Sequence, residues 1–597
     1  MDKQIIKDRI AALRGKMAKA GLAAVIIPQS DPHLSEYLAA HWQVRRWFSG
    51  FTGSAGDLVV TADKAYLWTD SRYFLQAGEQ LADTGIELMK DGLADTPSIQ
   101  DFLAKNLAKG SKVGVDGMLF SVPKMADLRK TLEKHDISVV DTFEPAEGLW
   151  LDRPALPDSK IFIHDVKYAG VSAADKIADI LGKVVDEGAD ATLISALDEI
   201  AWTLNIRCND VKHTPVATAY LYLGNGGNVL LIDPAKLTDE TVAYLKAQGV
   251  ETAPYDSIKT FLAGVPAEHV LINPALTSAT VRNILGDKAY HVGIHPAAYF
   301  KAAKNEVQLQ GVRNAMERDG VALVKAFMEI EKRVAEGVHT TEMDVAEILR
   351  RHRSASPMFF DESFGTIAGY GPHGAIVHYE ADEHSNSTLE PHGLLLIDSG
   401  AQYLDGTTDI TRTIALGTPT KEQIHDFTLV MKGHIALARA IFPEGTRGAQ
   451  LDVLARQFLW AEGKAYYHGT GHGVGFFINR HEGPQNIRLN ENPTPLQPGM
   501  ITSNEPGIYL ADRYGIRCEN LIVTEPAMKS EEFGQFYRFE TMTLFPFDLR
   551  LFETAIMTDE EIDWLNAYHK KVRERLTPLL TAEEGAWLAE KTKELKR

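Results

Sequence analysis

The sequence predicts a protein of the α/β (α+β) class, with two related α/β domains followed by a larger mixed domain. Its 597 residues exceed what a single hydrophobic core supports. A helix–glycine–strand order occurs twice, at an offset of 167 residues, and short β-rich segments separated by polar turns dominate the last part of the chain. We expect domains at 1–156, 157–303 and 304–597, the last with a C-terminal helical extension.

The first domain begins with an amphipathic pattern. Apolar residues at three- and four-residue steps predict a helix over about 3–20, ended by Gly21, and the aliphatic run 23–27 predicts a buried strand. Further strands are predicted at 57–61 and 65–69, and helices at 97–109 and 123–134. The proline-rich run 153–157 marks the end of this domain.

The second domain repeats the same order, with a helix over 173–187, Gly188, and a strand at 191–194. Asp198 follows Gly188 by the ten residues that also separate Asp31 from Gly21. This spacing indicates a duplicated substrate-recognition domain. The alternative is a chance similarity between two α/β units.

The third domain opens with Asn305 and Gln308, which have the spacing of an N-terminal capping box before a long helix to about Glu336. Strands are predicted at 393–398 and 409–414, helices at 420–441 and 447–462, and a capped helix from Thr558 to about Leu580. We interpret the last helix as structural and as part of a subunit contact.

Charge and cysteine content limit the possible partners. A net charge of -19 opposes a general affinity for nucleic acid or anionic membranes, which are bound through excess Lys and Arg. Only two cysteines occur, far apart, which indicates a reduced compartment without disulfides. The charged start is unlike a signal peptide, and no apolar run approaches the roughly 20 residues that span a bilayer. We expect a cytoplasmic protein that binds a small molecule or a peptide.

The stretch from His468 to Glu519 concentrates imidazoles and carboxylates among glycines and prolines. Four glycines in the eight residues from His468 to Gly475 disfavour a helix, since each costs roughly 1 kcal/mol relative to alanine. The four-residue spacing of His468 and His472 is therefore not that of a helical zinc motif.

Two pairs of carboxylates can meet across hairpins. A reversal near Tyr403-Leu404 would place Asp398 directly opposite Asp409, but Asp405-Gly406 has the better turn chemistry. Reconciling the two requires a bulge or an asymmetric loop, whose position the sequence leaves open. Glu505 and Glu519 can pair in the same way, with a reversal near Asp512.

Four carboxylates in one core would repel one another unless they were protonated or bound to cations. Two divalent ions would balance their charge. Oxygen-rich coordination with a single imidazole favours Mn²⁺, Co²⁺, Fe²⁺ or Zn²⁺ over a metal that depends on thiolates.

The motifs around these residues resemble a known family. Five of them resemble the pita-bread metallopeptidases, and more narrowly the long, three-domain form of Xaa-Pro aminopeptidase (aminopeptidase P): 398–400, 408–413, 468–475, 505–507 and 515–520. Four further stretches resemble other parts of the same family: 30–37, 49–56, 197–202 and 563–569. The resemblance covers nearly the whole chain.

The resemblance implies a pita-bread catalytic domain with a di-manganese site, for which Co²⁺ or Zn²⁺ are alternatives. Asp398 would chelate one ion, Asp409 and Glu519 would bridge both, and His472 with Glu505 would complete the second. The family pattern implies further roles at five positions: His378, His468 and His481 at the substrate carbonyl, Arg517 behind the ligands, and Tyr509 lining the site. Two departures are Cys518, read as a small buried hydrophobe, and Asn504 where Asp is common.

The implied activity is hydrolysis of the bond between an N-terminal residue and a proline in second position, by a hydroxide bridging two metal ions. Glu505 would act as a proton shuttle. Alternatives are a prolidase-like Xaa-Pro dipeptidase, a methionine aminopeptidase, or a non-catalytic peptide-binding module of the same fold. The resemblance further implies proline-containing peptide substrates and a homodimer formed through the C-terminal domain.

Overall fold

The computed structural model describes residues 2–291 and 293–597; Met1 and Val292, which fall within the first two predicted domains, lie outside the described residues. The chain forms two compact units. The first comprises the residues up to Ile163 and Val171–Ala297, and the second comprises His164–Gly170 and Ala298–Arg597. Among the described residues, no helix combines the length and the apolar character that a membrane crossing requires.

The first α/β domain is built on a six-stranded sheet in which apolar residues alternate between two buried faces. Val25 and Ile27 pack on one face with α1, and Ala24 and Ile26 pack on the other. The strands are β1 Ala24–Ile27, β2 Asp57–Thr61, β3 Ala65–Thr69, β4 Ile86–Lys90, β5 Lys112–Gly114 and β6 Ser138–Val140. The helices are α1 Lys3–Lys19, α2 Val44–Ser49, α3 Phe74–Leu81, α4 Ile99–Asn106 and α5 Val122–Glu133.

The second domain contains a two-stranded sheet, β7 with β9, and a six-stranded sheet formed by the other strands. The strands are β7 Phe162–Ile163, β8 Ala191–Ile194, β9 Ile206–Arg207, β10 Ala219–Gly224, β11 Val229–Ile232, β12 Glu251–Ala253, β13 Val270–Leu271 and β14 Ala289–Tyr290. The helices of this domain are α7 Ala173–Asp186, α8 Leu197–Leu204, α9 Asp239–Ala247, α10 Ile258–Gly264 and α11 Ala279–Leu285, whereas α6 Val166–Ala169 and most of α12 Pro296–Ala302 belong to the second compact unit.

The two six-stranded sheets have one topology. Their orders are β4-β3-β2-β1-β5-β6 and β12-β11-β10-β8-β13-β14. In the first sheet, β1 pairs antiparallel with β2 and parallel with β5. In the second sheet, β8 pairs antiparallel with β10 and parallel with β13. Gly21 and Gly188 both have positive φ, at 66° and 85°. The prediction of two related α/β domains is therefore confirmed at the level of topology.

A buried histidine lies where these two domains meet inside the first unit. His33 is 1% exposed, and its Nδ1 lies 2.9 Å from the Ser195 carbonyl oxygen. Its Nε2 lies 2.8 Å from the Tyr255 hydroxyl, and its ring packs on Tyr220 with centroids 4.4 Å apart. The first-domain segment that carries His33 thus contacts two separate segments of the second domain.

The second unit surrounds its strands with long helices. Asn305 and Gln308 form the predicted capping box of α13, and Thr558 and Glu561 form that of α17. Its longer helices are α13 Glu306–Ala335, α14 Glu342–Ser354, α15 Lys421–Ala438, α16 Gly448–Trp460, α17 Asp559–Leu576 and α18 Ala582–Lys591. Their apolar faces and the strands share one large core.

The strands of this unit form four sheets: β21-β28-β27-β24-β22-β23, β16-β17-β20, β15-β18-β19 and β25-β26. The strands are β15 Phe359–Glu362, β16 Ile367–Tyr370, β17 Leu394–Ser399, β18 Ala401–Tyr403, β19 Gly406–Thr407, β20 Ile410–Ala415, β21 Ile441–Pro443, β22 Gly471–Gly473, β23 Glu482–Ile487, β24 Ile501–Asn504, β25 Gly507–Leu510, β26 Tyr514–Arg517, β27 Asn520–Ser530 and β28 Gly534–Thr541. The candidate site residues lie on or beside β17, β20, β22 and the ends of β24 to β27.

Candidate metal centre

Asp398 lies on β17 and Asp409 immediately precedes β20, the antiparallel partner of β17, but the two aspartates are not directly opposite each other. Asp398 pairs with Thr411, so Asp409 is its diagonal neighbour on the same face. The chain reverses at Leu404-Asp405, because Tyr403 pairs with Gly406 in the intervening β18–β19 hairpin. The direct pair, which the sequence made conditional on a reversal at Tyr403-Leu404, is therefore not formed, and the turn lies between the two positions considered from the sequence.

Packing against α13 explains this turn. A Cβ added to Gly406 would lie 3.0 Å from the Ala315 Cβ and 3.1 Å from the Val312 Cα. Because glycine has no Cβ, α13 can pack closely against the turn. Asp405 forms an ion pair with Arg318 of the same helix. The hairpin between the two aspartates is thus fixed by contacts with a helix about 90 residues upstream.

Glu505 and Glu519 lie opposite each other, as expected. Asn504 pairs with Asn520 in β24–β27, and Gly507 pairs with Arg517 in β25–β26. These two pairs have the same register, which places Glu505 directly opposite Glu519. The reversal centres on Asp512, whose φ is 60°. The sequence-based placement of this turn is confirmed.

His472 lies on the short strand β22, between β23 and β24. Its Nε2 is 3.4 Å from both Asp409 Oδ2 and Glu505 Oε1. Its Nδ1 lies 2.9 Å from the Gly473 carbonyl oxygen, which places the proton of the neutral ring on Nδ1 and turns the Nε2 lone pair towards the carboxylates. A Cβ at Gly471 would lie 2.0 Å from the Ser503 carbonyl oxygen, so the close approach of β22 to β24 requires glycine there.

Asp409, His472 and Glu519 each offer one atom to a single group in which these atoms lie within 4.8 Å of one another. Asp398, Asp409 and Glu519 are 5%, 1% and 1% exposed. Burial raises the pKa of Asp409 to about 8, although the nearby Arg480 guanidinium opposes the shift. Burial, followed by the neighbouring carboxylates, raises the pKa of Glu505 and of Glu519 well above the usual range. The cluster therefore disfavours negative charge unless a cation joins it.

The hydrogen bonds of the carboxylates test whether cations fit. One oxygen of each of three carboxylates is held by the protein: Asp398 Oδ2 by Arg517 Nη2 at 2.8 Å, Glu519 Oε2 by Thr411 Oγ1 at 2.8 Å, and Glu505 Oε1 by Ser503 Oγ at 2.9 Å. Three other oxygens are buried and find no hydrogen-bond donor among the described residues: Asp398 Oδ1, Asp409 Oδ1 and Glu519 Oε1. Buried oxygens in this state are suited to metal ions, so the residues fit a centre of divalent cations.

A hydrogen-bonded chain leads from Asp398 to His468. Arg517 Nη1 donates to the Tyr509 hydroxyl at 2.9 Å, and that hydroxyl lies 2.8 Å from His468 Nε2. Because the hydroxyl accepts from Arg517, it donates to His468, whose Nδ1 proton goes to the Gly469 carbonyl oxygen at 2.8 Å. Burial raises the pKa of Tyr509 to about 12, so the hydroxyl stays protonated.

The other two predicted histidines are placed as follows. His481 is half-buried, and its ring centroid lies 4.1 Å from that of His472. His378 is half-buried in the segment after Gly371–Ala375, and its neighbour Tyr379 packs in a cluster that includes Tyr509. Arg517 and Tyr509, which were predicted to lie beside the metal ligands, form a hydrogen bond with each other. Arg517 also binds Asp398, and Tyr509 also binds His468.

Three residues of the site were missed from the sequence. Thr411 and Ser503 each lie two residues from a predicted ligand on an extended segment, so the period-two rule could have found them. Arg480 is 5% exposed, its Nε lies 3.8 Å from Asp409 Oδ2, and its guanidinium covers the Phe364 ring at 3.6 Å. Its only sequence signal is its position next to His481.

Family comparisons cover nearly the whole length of the chain. Residues 310–526 match metallopeptidase family M24, and residues 535–595 match the C-terminal region of peptidase M24. Residues 9–149 and 152–308 each match a Creatinase/Prolidase N-terminal domain. The duplicated sheets described above correspond to these two matches.

Similar proteins extend over the full chain. It is 40% identical to Aminopeptidase P2 of Arabidopsis thaliana, over 98% of this chain and 88% of that protein. It is 37% identical to Xaa-Pro aminopeptidase 1 of Dictyostelium discoideum, over 97% of this chain and 94% of that protein. A solved X-prolyl aminopeptidase of Caenorhabditis elegans, described as a cytosolic enzyme with a di-nuclear active site, matches 100% of both chains at 34% identity and a TM-score of 0.95.

These matches confirm the resemblance seen in the sequence, and with it the predicted fold class of two related α/β domains before a pita-bread domain. The matched regions include the segments that hold the carboxylate cluster. The chain belongs to metallopeptidase family M24, among the Xaa-Pro aminopeptidases P.

Proposed function

We propose that this chain is a metal-dependent aminopeptidase that hydrolyses the bond between an N-terminal residue and a proline in second position. The observation that carries the proposal is the convergence of Asp409, His472 and Glu519 on one point, with buried carboxylate oxygens that the protein does not satisfy. The names of the similar proteins supply the substrate class.

Two divalent cations would be held by Asp398, Asp409, His472, Glu505 and Glu519. Mn²⁺ is the proposed ion, with Co²⁺ or Zn²⁺ as alternatives, because the donors are mostly oxygens. The di-nuclear centre of the Caenorhabditis elegans protein supports the number of ions. When bound, such ions supply Lewis acidity for the scissile carbonyl and lower the pKa of water.

The side chains around the cluster bind the peptide and move protons. His378, His468 and His481 line the cleft and hold the carbonyl oxygen as it gains negative charge. The Tyr509 hydroxyl orients His468, because it donates to Nε2 of that ring. Glu505 takes a proton from the attacking water and delivers it to the departing proline nitrogen.

The proposal extends to organisation and location. The division into domains 1–156, 157–303 and 304–597 places the whole cluster in the last domain, and a homodimer forms through that domain. The cytosol is proposed because the Caenorhabditis elegans protein is described as cytosolic. Proline-containing peptides are the partners, and the net charge of -19 disfavours nucleic acid and anionic membranes.

The test is cleavage of a peptide with proline in second position, before and after chelation and after Mn²⁺ is added back. We expect activity to disappear on chelation and to return with Mn²⁺. Glu519→Ala should stay inactive at every Mn²⁺ concentration, because it removes one of the three side chains that converge on a single point. Activity that survives chelation would contradict the proposal.

Substrate length separates this function from a prolidase. An aminopeptidase of this kind cleaves Xaa-Pro-Xaa peptides, whereas an Xaa-Pro dipeptidase cleaves only the dipeptide. Hydrolysis confined to Xaa-Pro would favour the dipeptidase, release of methionine without proline would favour a methionine aminopeptidase, and metal binding without turnover would favour a peptide-binding module.

A further inference from the structure

Arg412 belongs to the family-like motif 408–413, but the proposed function gives it no role. It lies on β20 between Thr411 and Thr413, so its side chain leaves the strand on the face opposite Asp409 and Thr411. It is 2% exposed. Among the described residues, no carboxylate forms an ion pair with it. Its buried charge must therefore be stabilised in another way.

Neutral acceptors surround the guanidinium. Nε donates to the Pro546 carbonyl oxygen at 3.0 Å, and the ring of Phe547 lies 3.9 Å from Cζ. Nη1 donates to the carbonyl oxygens of Thr411 at 2.9 Å and Glu519 at 2.6 Å. Nη2 donates to Asn520 Oδ1 at 2.8 Å, the Phe545 carbonyl oxygen at 2.7 Å and the Tyr568 hydroxyl at 3.0 Å. One planar group thus joins three segments of the chain.

The ligand Glu519 is fixed to β20 at three points. Its backbone N–H donates to the Thr411 carbonyl oxygen at 3.0 Å, and its own carbonyl oxygen accepts from Arg412. Its carboxylate accepts from Thr411 Oγ1. Arg412 donates hydrogen bonds both to the main chain of Glu519 and to the side chain of the next residue, Asn520. Without Arg412, these two residues would lose the donor that they share.

The other end of this connection lies in the C-terminal region. Tyr568 of α17 is 4% exposed, and its hydroxyl also lies 2.9 Å from the Phe545 carbonyl oxygen and 3.0 Å from the Thr543 carbonyl oxygen. The hydroxyl therefore accepts from Arg412 and donates to the segment that leads from β28 to α17. The tail motif 563–569, which the sequence resemblance included without a role, contains this tyrosine.

We infer that Arg412 and Tyr568 are positioning residues of the metal centre, which tie the C-terminal helix α17 to the main chain of Glu519 and so hold its carboxylate in place for the ions. The inference rests on the proposed function, because it assigns Glu519 as a metal ligand. Neither residue touches the substrate. The C-terminal extension is thus part of the machinery that binds metal, in addition to any subunit contact it forms.

The experiment measures metal affinity in Tyr568→Phe and Arg412→Lys. Tyr568→Phe removes one hydroxyl and keeps the ring, and Arg412→Lys keeps the charge but loses the planar fork of donors. We expect each variant to bind Mn²⁺ about 10-fold more weakly by calorimetry, the lower end of the usual effect of residues that orient ligands. The visible spectrum of the Co²⁺ form should change, and excess Mn²⁺ should restore kcat.

Tyr537→Phe is the matched control. Tyr537 is 6% exposed in the same domain, and its hydroxyl donates to Glu444 Oε1 at 3.0 Å, away from the ligands. It should bind Mn²⁺ like the wild type. Circular dichroism and thermal melting show whether each variant folds.

The outcomes separate this inference from the proposed function. Wild-type protein that binds two ions and cleaves Xaa-Pro bonds, with unchanged Mn²⁺ affinity and Co²⁺ spectrum in folded Tyr568→Phe and Arg412→Lys, would overturn the positioning role alone. A lower Tm without a change in affinity would likewise reduce both residues to structural support. Wild-type protein that binds no divalent ion would overturn the proposed function and this inference together.

Discussion

At the residue scale, the protein assigns separate tasks to the two oxygens of a carboxylate. Arg517, Thr411 and Ser503 each hold one oxygen of Asp398, Glu519 and Glu505, respectively. The buried partners Asp398 Oδ1 and Glu519 Oε1 accept no hydrogen bond from any described residue. The ligand geometry is therefore set by protein contacts before an ion arrives, and the desolvated charge is the cost of that arrangement.

This cost predicts a pH dependence of the metal-free protein. The pKa of Asp409 in the folded state, about 8, lies above its unfolded value of about 3.9, so the folded state binds more protons between these limits. The free energy of unfolding therefore falls as pH rises through this window. We expect the Tm of chelated protein to fall by a few °C from pH 6.5 to 8.5.

Asp409→Asn should weaken this dependence, because the amide carries no charge to desolvate. Differential scanning fluorimetry of both chelated proteins checks the result. Metal-loaded wild type serves as the control and should show a smaller change, since the cations balance the carboxylates. Equal slopes in wild type and Asp409→Asn would contradict the account.

At the element scale, the turn between β25 and β26 sets the register that joins Glu505 to Glu519. Asp512 occupies the left-handed region with φ of 60° and is exposed. A β-branched residue there costs about 1–2 kcal/mol, whereas Asn tolerates this conformation. Asp512→Val should lower Tm by several °C and weaken Mn²⁺ binding, and Asp512→Asn should match the wild type in both. A wild-type Tm in Asp512→Val would show that the turn carries no strain.

The two ligand hairpins show how far sequence reasoning reaches. The reversal at Asp512 was predictable because both arms are consecutive strands of one ladder, for which the midpoint of the register is the turn. The reversal at Leu404-Asp405 was not, since its position depends on Gly406 packing against α13 and on Arg318. Contacts across long sequence separations leave no period in the local sequence. The same limit applies to Arg480, whose burial beside Phe364 has no local pattern.

At the scale of the whole molecule, the duplication was visible from an offset of 167 residues, because helix, glycine and strand keep their spacing. Strand order and direction then follow in both sheets. The position of His33 between Ser195 and Tyr255 was beyond the sequence, since it depends on how the two domains pack. The five candidate ligands came from family motifs; the structure shows that Asp398, Asp409 and Glu519 are buried and that His472 and Glu505 are half-buried.

Buried imidazoles predict acid sensitivity in both compact units. Burial lowers the pKa of His295 to about 4, and burial with nearby Arg412 and Arg573 lowers that of His569 to about 3. Since the unfolded value is about 6.5, the unfolded chain binds more protons below that pH. Stability is therefore complete above pH 6.5 and is lost as pH falls towards 3–4. Tm should fall by a few °C from pH 7 to 5.

His569→Gln tests this at one site, because His569 Nε2 accepts the Phe547 N–H at 3.0 Å and cannot do so once protonated. Its Tm should depend less on acid than the wild type at equal metal loading. His425 is the control: Glu553 and Glu462 raise its pKa, so His425→Gln should leave the acid dependence unchanged or steeper. A His569→Gln slope equal to that of the wild type would exclude this imidazole as a cause.

The Arg412 contacts also set an order of events during synthesis. Arg412 and the Tyr568 hydroxyl that it binds are 156 residues apart in the chain. At about 5–20 residues per second, a ribosome needs roughly 8–30 s to add that length. All five candidate ligands, of which Glu519 is the last, precede Tyr568 of α17 in the chain. A nascent chain that already has all five candidate ligands therefore still lacks the Tyr568 contact, and the centre is completed only once α17 has been added.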